Sequence, residues 1–245
     1  MSEETSIKVI TDLVKHAAEW DDKIDEVFKP VKDYSETLGD VIYPVKIALS
    51  TLTLANKLKF KRFLGQFASG VSLNNMSDDY IKRLERYLKK EVNLEYIAEV
   101  IDSSIKSRSS RCSAIMGYYA GVILNELKDI QYKDMVVLNA LTVMNNIDLE
   151  YFMLLFQRFS SLFTSQNLNH IRVHDMPDEF NSLGVPVFEM ENTIEKLKNV
   201  QLIGYDVGGF DSVGNAWGAF KFNEYTDYFF EIINKSGVMN IVETE

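Results

Sequence analysis

The chain has 245 residues, of which 46% are hydrophobic and 12% aromatic, enough for sizeable cores in one large domain or two small ones. Its net charge of -10 argues against nucleic acid as a general partner, because DNA binding is driven by lysines and arginines that neutralise phosphates. The single cysteine excludes an internal disulfide, and the acidic start MSEETS lacks the apolar core of an export signal. We therefore expect a globular cytoplasmic protein.

The first predicted helix runs from about Ser6 to Lys29, where apolar residues recur alternately three and four positions apart. Pro30 ends or bends it. Its other faces are acidic. The carboxylates that could meet a basic surface of the same chain are Asp21, Asp22, Asp25 and Glu26.

The segment from Val41 to Ser77 contains five basic residues and no acidic residue, in contrast to the acidic remainder of the chain. A helix that begins near Pro44 places the apolar residues of this segment on one side. These residues are Val45, Leu49, Leu52, Phe60, Phe63 and Phe67. The apolar run is interrupted by Lys46 and stops at KLKFKR, so we reject a transmembrane helix, which needs about 20 apolar residues.

Four cations of this basic helix form the candidate contact site: Lys57, Lys59, Lys61 and Arg62. Three interpretations stay open at this point. The cations are solvated residues of a core helix, or they pair with the acidic first helix, or they contact an anionic partner or the surface of a membrane.

Five further helices are predicted before residue 163, at about 78–88, 93–105, 114–127, 132–144 and 149–162. Ser77, Asn93 and Asp148 are their predicted caps. In the helix over 114–127, Gly117 and Gly121 stand four residues apart, which allows a neighbouring helix to pack closely. We predict an all-helical bundle domain over residues 1–165.

The segment from Thr164 to Leu183 loses helical periodicity and is the predicted boundary. Beyond it the pattern indicates a helix to about residue 200, strands within 202–207 and 216–222, and a last helix that Asn223 or Thr226 opens and Gly237 stops. We predict a winged-helix-like α+β domain over residues 184–245, with β structure confined to residues 200–222. The predicted fold class is mainly α, a helical bundle followed by this small domain.

Some of these stretches resemble known families. KLKFKRFLGQF, SDDYIKRLERYLKKEVNLEYIAEVIDSSIKSRSSRCSAIMGYYAGVIL and NIDLEYFMLLFQRF resemble an uncharacterised group of bacterial and prophage proteins. The tail stretches TIEKLKNVQLIGYDVGG and AWGAFKFNEYTDYFFEII are similar to the winged-helix-like end of that group and of the abortive-infection alpha (Abi-alpha) family. The resemblance covers roughly residues 38–235. It implies a cytoplasmic bacterial or phage protein connected with phage defence or exclusion, and it brings no catalytic motif.

No stretch carries a complete catalytic or metal-binding motif. His170, His174 and Asp175 are residue types that bind metals and are closely spaced, but no cysteine or HExxH glutamate completes a set of ligands. Cys112 follows Arg111 and lacks the base and orienting group that nucleophilic catalysis requires. We expect no metal, no cofactor and no enzymatic activity.

The expected function is that of an interaction protein that contacts a protein partner or a second copy of itself through the basic helix and the tail. Peripheral contact with the inner face of a membrane is a further option. The alternative is a transcriptional regulator that binds DNA through the winged-helix-like tail. Against this alternative, the helix that would enter the DNA groove carries three glutamates (Glu189, Glu191 and Glu195) and only two lysines (Lys196 and Lys198).

Overall fold

A computed structural model describes residues 3–17, 53–71, 77–165, 171–172, 177–206 and 219–240. Ten α-helices, a three-stranded antiparallel sheet and a short 3-10 helix make up this described part, so the predicted mainly helical fold is confirmed there. The chain forms two compact units. Unit 1 is Met1–Gln131 with Ser236–Glu245, and unit 2 is Tyr132–Lys235.

The described part of unit 1 is helical. Its elements are α1 Glu3–Lys15, α2 Leu54–Gly70, α3 Asp78–Leu88, α4 Glu91–Lys106, α5 Ser110–Glu126 and the 3-10 helix Val238–Asn240. The most extensive contact is between α2 and α5, and α5 also packs against α4 and the 3-10 helix. Helix α1 lies against α3 and α4.

Glycines bring α2 and α5 close together. A Cβ atom at Gly117 would lie 2.1 Å from the carbonyl oxygen of Phe63, and one at Gly121 would lie 2.6 Å from the carbonyl oxygen of Phe67. Any larger residue at either position would push the two backbones apart. The close packing predicted from this glycine pair is therefore confirmed, and α2 is the neighbouring helix.

The three predicted caps have different outcomes. Ser77 caps α3, because its Oγ accepts the backbone N–H of Tyr80 at 3.2 Å. The prediction for Asn93 is wrong: α4 already begins at Glu91, and the buried Asn93 side chain donates to the carbonyl of Tyr87 at 3.0 Å. The prediction for Asp148 is also wrong, because the side chain of Asn145 accepts the backbone N–H groups at the start of the helix that contains Asp148.

Asn145 precedes the helix Asn146–Ser165 (α7) and is its N-cap, the role that was predicted for Asp148. Its Oδ1 accepts the backbone N–H groups of Ile147 and Asp148 at 2.8 and 3.0 Å. The Asp148 carboxylate reaches back to the N–H of Asn145 at 2.9 Å, so the two side chains form a reciprocal capping box.

Unit 2 contains five helices and three strands in its described part. They are α6 Tyr132–Val143, α7 Asn146–Ser165, β1 Ile171–Arg172, α8 Pro177–Ser182, α9 Val187–Asn199, β2 Gly204–Asp206, β3 Ala219–Lys221 and α10 Glu224–Ser236. Strand β3 is central and pairs antiparallel with both others, which gives the strand order β1-β3-β2. Strands β2 and β3 and helix α10 begin and end within the segments that the sequence predicted for them.

The segment Thr164–Leu183 contains β1 and α8, which the sequence pattern did not predict. The prediction that β structure is confined to residues 200–222 is therefore wrong, because Ile171 pairs with Phe220. Helix α8 has the signals of a short helix: Pro177 at its first position and Asp178 and Glu179 in its first turn.

An aromatic core joins α7 to the C-terminal elements of unit 2. Phe152 contacts Phe229 edge-on, with ring centroids 5.0 Å apart, and Phe156 stacks on Phe230 at 4.0 Å. The sequence placed α6 and α7 in the bundle domain over residues 1–165, whereas the structure groups both helices with the C-terminal elements. The units therefore divide after Gln131 and not within Thr164–Leu183.

Several predictions fall outside the described residues. They concern the first helix beyond Ala17 with its carboxylates Asp21, Asp22, Asp25 and Glu26, and the apolar residues Val45, Leu49 and Leu52. Within the described ranges, no helix combines the length and the apolar character needed to cross a membrane.

Candidate functional site

The buried side of α2 fixes the orientation of the candidate site. Thr53 starts the helix, and its Oγ1 accepts the backbone N–H of Asn56 at 3.3 Å. Phe60, Phe63 and Phe67 are buried and stack in a row, with successive ring centroids 5.5 and 5.9 Å apart. The prediction that these three residues share the core side of the helix is confirmed.

The opposite side of α2 combines exposed leucines with cations. Residues four apart lie on the same side of a helix, so Leu54, Leu58 and Arg62 form one row. Leu54 is 75% exposed and Leu58 is 55% exposed. Arg62 is exposed, and the half-buried Lys57 and Lys61 flank the row. We call these five residues the α2 face.

Lys59 lies on the other edge of this row from Lys57 and Lys61. It precedes Arg62 by three residues and the buried Phe63 by four, and its side chain is half-buried like those of Lys57 and Lys61. The structure therefore places Lys57 and Lys61 of the predicted site on one edge of the row, Arg62 within it and Lys59 on its other edge. Leu54 and Leu58 were not predicted as members of the site.

Helix α2 itself contains no carboxylate, and Lys61 and Arg62 each have an interaction partner in the structure. The acidic residues proposed to pair with it, such as Asp21 and Asp25, lie outside the described residues. An exposed row of leucines with lysines and arginine beside it can bind a surface that has both apolar and anionic groups.

A second candidate surface lies on α9. Helices α8 and α9 are joined by four residues, 183–186, in which Gly184 has a φ of 70°. Met190, Ile194 and Leu197 bury one side of α9. The other side carries Phe188, which is 71% exposed. Three polar residues lie on the same side of the helix as Phe188: Asn192 and Glu195, which are exposed, and Glu191, which is half-buried. We call these four residues the α9 face.

Both lysines of α9 are engaged within unit 2. Lys196 Nζ lies 2.7 and 2.8 Å from the two carboxylate oxygens of Asp148 on α7, and Thr193 donates to the same carboxylate at 3.0 Å. The buried Lys198 donates to Glu195 at 2.7 Å. The cations that the sequence offered for DNA binding are therefore already committed to carboxylates.

Glu189 also has a partner in unit 2. The hydroxyl of Tyr151 on α7 donates to its carboxylate at 2.6 Å, and this hydrogen bond raises the pKa of Tyr151. The contact ties the first turn of α9 to α7.

A shallow groove of about 360 Å³ separates α1 from α3. Lysines and carboxylates line it in equal number: Lys8, Lys15, Lys89, Glu4, Asp12 and Glu85. Because the charges balance, the lining does not select a ligand of either sign. The buried Thr11 Oγ1 beneath it has no hydrogen-bond partner.

Within the described ranges, no three His, Cys, Asp or Glu side chains converge as a metal site. His170, His174 and Asp175 lie outside those ranges. Cys112 is buried at the start of α5, where its backbone N–H donates to Ser109 Oγ at 2.9 Å.

Comparison of the chain with protein-family models, curated proteins and solved structures finds no match.

Proposed function

We propose that the protein is a non-enzymatic interaction protein that binds an acidic surface of a protein partner through its α2 face. The observation that carries this proposal is the exposure of Leu54 and Leu58 in one row with Arg62. Isolated exposed apolar residues are ordinary on protein surfaces. Two leucines one helical turn apart, flanked by three cations, match the way an amphipathic helix anchors in a partner's groove.

An anionic membrane would attract the same cations, but the apolar part of the α2 face is small. A helix that lies in a membrane surface buries a broad apolar side with Trp, Phe or Leu along its length. In α2 the three phenylalanines Phe60, Phe63 and Phe67 point into the core of unit 1, which leaves two leucines for the outer side. These observations favour a protein partner.

We infer that unit 2 is a winged-helix-like module used for protein contact. The supporting observations are the element order α7-β1-α8-α9-β2-β3 and the strand order β1-β3-β2. The short turn with Gly184 between α8 and α9 is typical of a helix-turn-helix.

DNA binding is the second candidate function, because a helix-turn-helix protein reads DNA with its second helix, here α9. Charge argues against it. The α9 face has Glu191 and Glu195 and no cation, and unit 2 as a whole contains 7 Lys and Arg against 14 Asp and Glu, a net charge of -7. A surface of this sign repels phosphates.

The setting of this function rests on the family resemblance. The likeness of the helical stretches to an uncharacterised group of bacterial and prophage proteins, and of the tail to that group and to the Abi-alpha family, supports a role in phage defence or exclusion in a bacterial cytoplasm. A protein that acts by occupying a phage or host component needs an exposed binding face and no reactive groups.

The test compares two sets of substitutions on α2. The first variant carries Lys57→Gln, Lys61→Gln and Arg62→Gln, and the control carries Lys59→Gln alone. Glutamine keeps the helical propensity and removes the charge. Affinity capture from the natural host, at low and at physiological salt, should recover a discrete partner with the wild type and the control but not with the triple variant.

A parallel sedimentation with phosphatidylglycerol vesicles distinguishes a membrane from a protein. Sedimentation of the wild type but not the triple variant would assign the α2 face to a lipid surface. Equal capture by all three proteins would contradict the proposed role of the α2 face, provided that each unfolds cooperatively at a similar temperature.

A further inference from the structure

We propose that the groove between α1 and α3 binds a small zwitterion, a molecule such as a free amino acid that carries both an ammonium and a carboxylate group. The groove lies within unit 1 and shares no residue with the α2 face, so the inference goes beyond the proposed function. It is carried by a buried hydroxyl without a hydrogen-bond partner, by unpaired charges of both signs, and by the volume of the groove.

The hydroxyl without a partner belongs to Thr11, which lines the groove and is 2% exposed. Among the described residues, its Oγ1 is the only buried side-chain nitrogen or oxygen atom that makes no hydrogen bond. A threonine within a helix commonly donates to the carbonyl four residues earlier, here that of Ile7, but Thr11 does not. An unbonded buried hydroxyl costs free energy, and a ligand atom that forms a hydrogen bond with it removes this cost.

The residues of α1 that line the groove lie on one side of the helix, because they follow one another at alternating intervals of three positions and one position. They are Glu4, Ile7, Lys8, Thr11, Asp12 and Lys15. Thr11 is buried and Ile7 is half-buried, so these two form the inner wall. The exposed charged residues form the rim, to which α3 and its C-terminal end add Glu85 and Lys89.

Charged groups of both signs on this rim are unpaired. Within the described residues, Glu4, Lys8, Glu85 and Lys89 have no ion pair and no side-chain hydrogen bond. A ligand of one sign is attracted by half of these groups and repelled by the other half. A zwitterion can place each of its ends beside the opposite charge, and none of these four side chains has to leave an existing partner first.

The volume of the groove suits a small molecule. At about 360 Å³ it lies near the lower end of the range of roughly 300–1,000 Å³ in which small-molecule sites fall. The groove is shallow, so the charged ends of a bound ligand stay partly hydrated. We therefore expect reversible binding of modest affinity that is selective for the presence of both charges.

The experiment is a thermal-unfolding screen of the full chain with each of the common free amino acids at the same millimolar concentration. At least one of them should raise the unfolding midpoint, because a ligand that binds only the folded protein stabilises it. The N-acetyl amide of that amino acid, which has neither charge, should leave the midpoint unchanged. Titration calorimetry with the same amino acid then gives the affinity of each variant.

Thr11→Val keeps the shape of the side chain and removes the hydroxyl. Its affinity for the amino acid should fall about fivefold to tenfold, as expected for the loss of one hydrogen bond. The unfolding midpoint of the ligand-free variant should not fall, because the hydroxyl that it lacks had no partner in the protein. Thr11→Ser, which keeps a hydroxyl, should retain binding.

Lys8→Gln tests the contribution of the rim and should weaken binding of the amino acid at least twofold. Lys82→Gln is the matched control, because Lys82 is exposed on α3 but does not line the groove. It should bind as the wild type does.

The inference would be overturned if no free amino acid raised the midpoint, or if the amino acid and its uncharged derivative raised it equally. Affinity that is unchanged in both Thr11→Val and Lys8→Gln would place the ligand elsewhere and overturn it as well. A lower midpoint of ligand-free Thr11→Val would show that the hydroxyl already has a partner within the protein, which also contradicts the inference.

Discussion

Asp148 is the residue that connects most of the described structure of unit 2 at a single point. Its carboxylate accepts the N–H of Asn145, the hydroxyl of Thr193 and the ammonium of Lys196, and its side chain is 4% exposed. It thereby fixes α9, which carries the α9 face, against the start of α7.

We expect Asp148→Asn to lower the free energy of unfolding by about 1–3 kcal/mol, because hydrogen bonds to a buried charged group are lost and Lys196 keeps an uncompensated charge. The measurement is urea unfolding. Lys235→Gln is the control, since both residues of the Lys235–Glu231 pair are exposed to solvent and the pair should contribute little to stability. An equal loss in both variants would contradict the central role of Asp148.

Because of Tyr80, we expect the stability of unit 1 to depend on pH in the alkaline range. Its hydroxyl donates to the carbonyl of Leu124 at 2.8 Å, and burial raises its pKa to about 12 from the ordinary value of 10.0. The folded state keeps the proton between pH 10 and 12, whereas the unfolded state loses it. The contribution of Tyr80 to the free energy of unfolding is therefore fully present below pH 10 and is lost as the pH rises towards 12.

Tyr80→Phe removes this dependence together with the hydrogen bond. We expect the variant to be less stable than the wild type at pH 8, and the difference between the two proteins to shrink as the pH rises from 10 to 12. Urea unfolding of both proteins at several pH values measures this difference in stability. A difference that is constant over this range would show that Tyr80 does not hold its proton in the folded state.

Helix caps show how far single residues can be predicted from sequence. Ser77 is followed by two aspartates, which suit the first turn of a helix, and then by apolar residues, and its prediction is confirmed. Asn145 and Asp148 both suit a helix start, and the sequence alone does not decide which of them accepts the backbone N–H groups. Asn93 fails for a different reason, because the tertiary contact with the carbonyl of Tyr87 uses its side chain inside α4.

At the scale of elements, the contact between α2 and α5 determines which side of α2 faces outward. Gly117 and Gly121 let α5 approach the backbone of α2 at Phe63 and Phe67. This close approach buries the row of phenylalanine side chains in the core. Leu54 and Leu58 then lie on the opposite side. Their exposure depends on this packing, and periodicity alone, which finds apolar residues on both sides of α2, could not predict it.

Gly117→Ala tests this contact. Alanine gains about 1 kcal/mol in helix propensity over glycine, yet its Cβ would lie 2.1 Å from a backbone oxygen that has no room to move. We expect a net loss of about 1–3 kcal/mol in the free energy of unfolding, as for overpacked cores. Stability equal to or above that of the wild type would contradict the close approach of the two helices.

The elements of the tail differ in how well their sequence reveals them. Helix α10 has a cap in Asn223 and a stop in Gly237 with a φ of 66°, and both were predicted. Strand β1 has two residues and α8 has six, which is too short for a period of two or 3.6 to be recognised. Their positions follow instead from pairing with β3 and from the stacking of Phe180 on Phe159.

At the scale of the whole molecule, charge separates the two candidate functions. Unit 2 carries a net charge of -7, and the α9 face has no cation with which to approach a phosphate. We expect no shift of random or promoter DNA in a gel assay at about 150 mM salt, where binding that needs several phosphate contacts is already weakened. A salt-dependent shift that Glu191→Ala strengthens would instead favour a regulator that binds DNA through α9.

The most direct test of the α2 face as a protein-binding surface is photo-crosslinking in the living host. A photoreactive phenylalanine analogue replaces Leu54, which is 75% exposed on the α2 face, and in a control it replaces Val92, which is 58% exposed elsewhere on unit 1. Position 54 should yield a discrete protein adduct. Position 92 should yield none, and the adduct at position 54 should disappear when Lys57, Lys61 and Arg62 are changed to Gln. Adducts of equal yield at both positions, or an adduct at position 54 that persists without the three cations, would contradict the account.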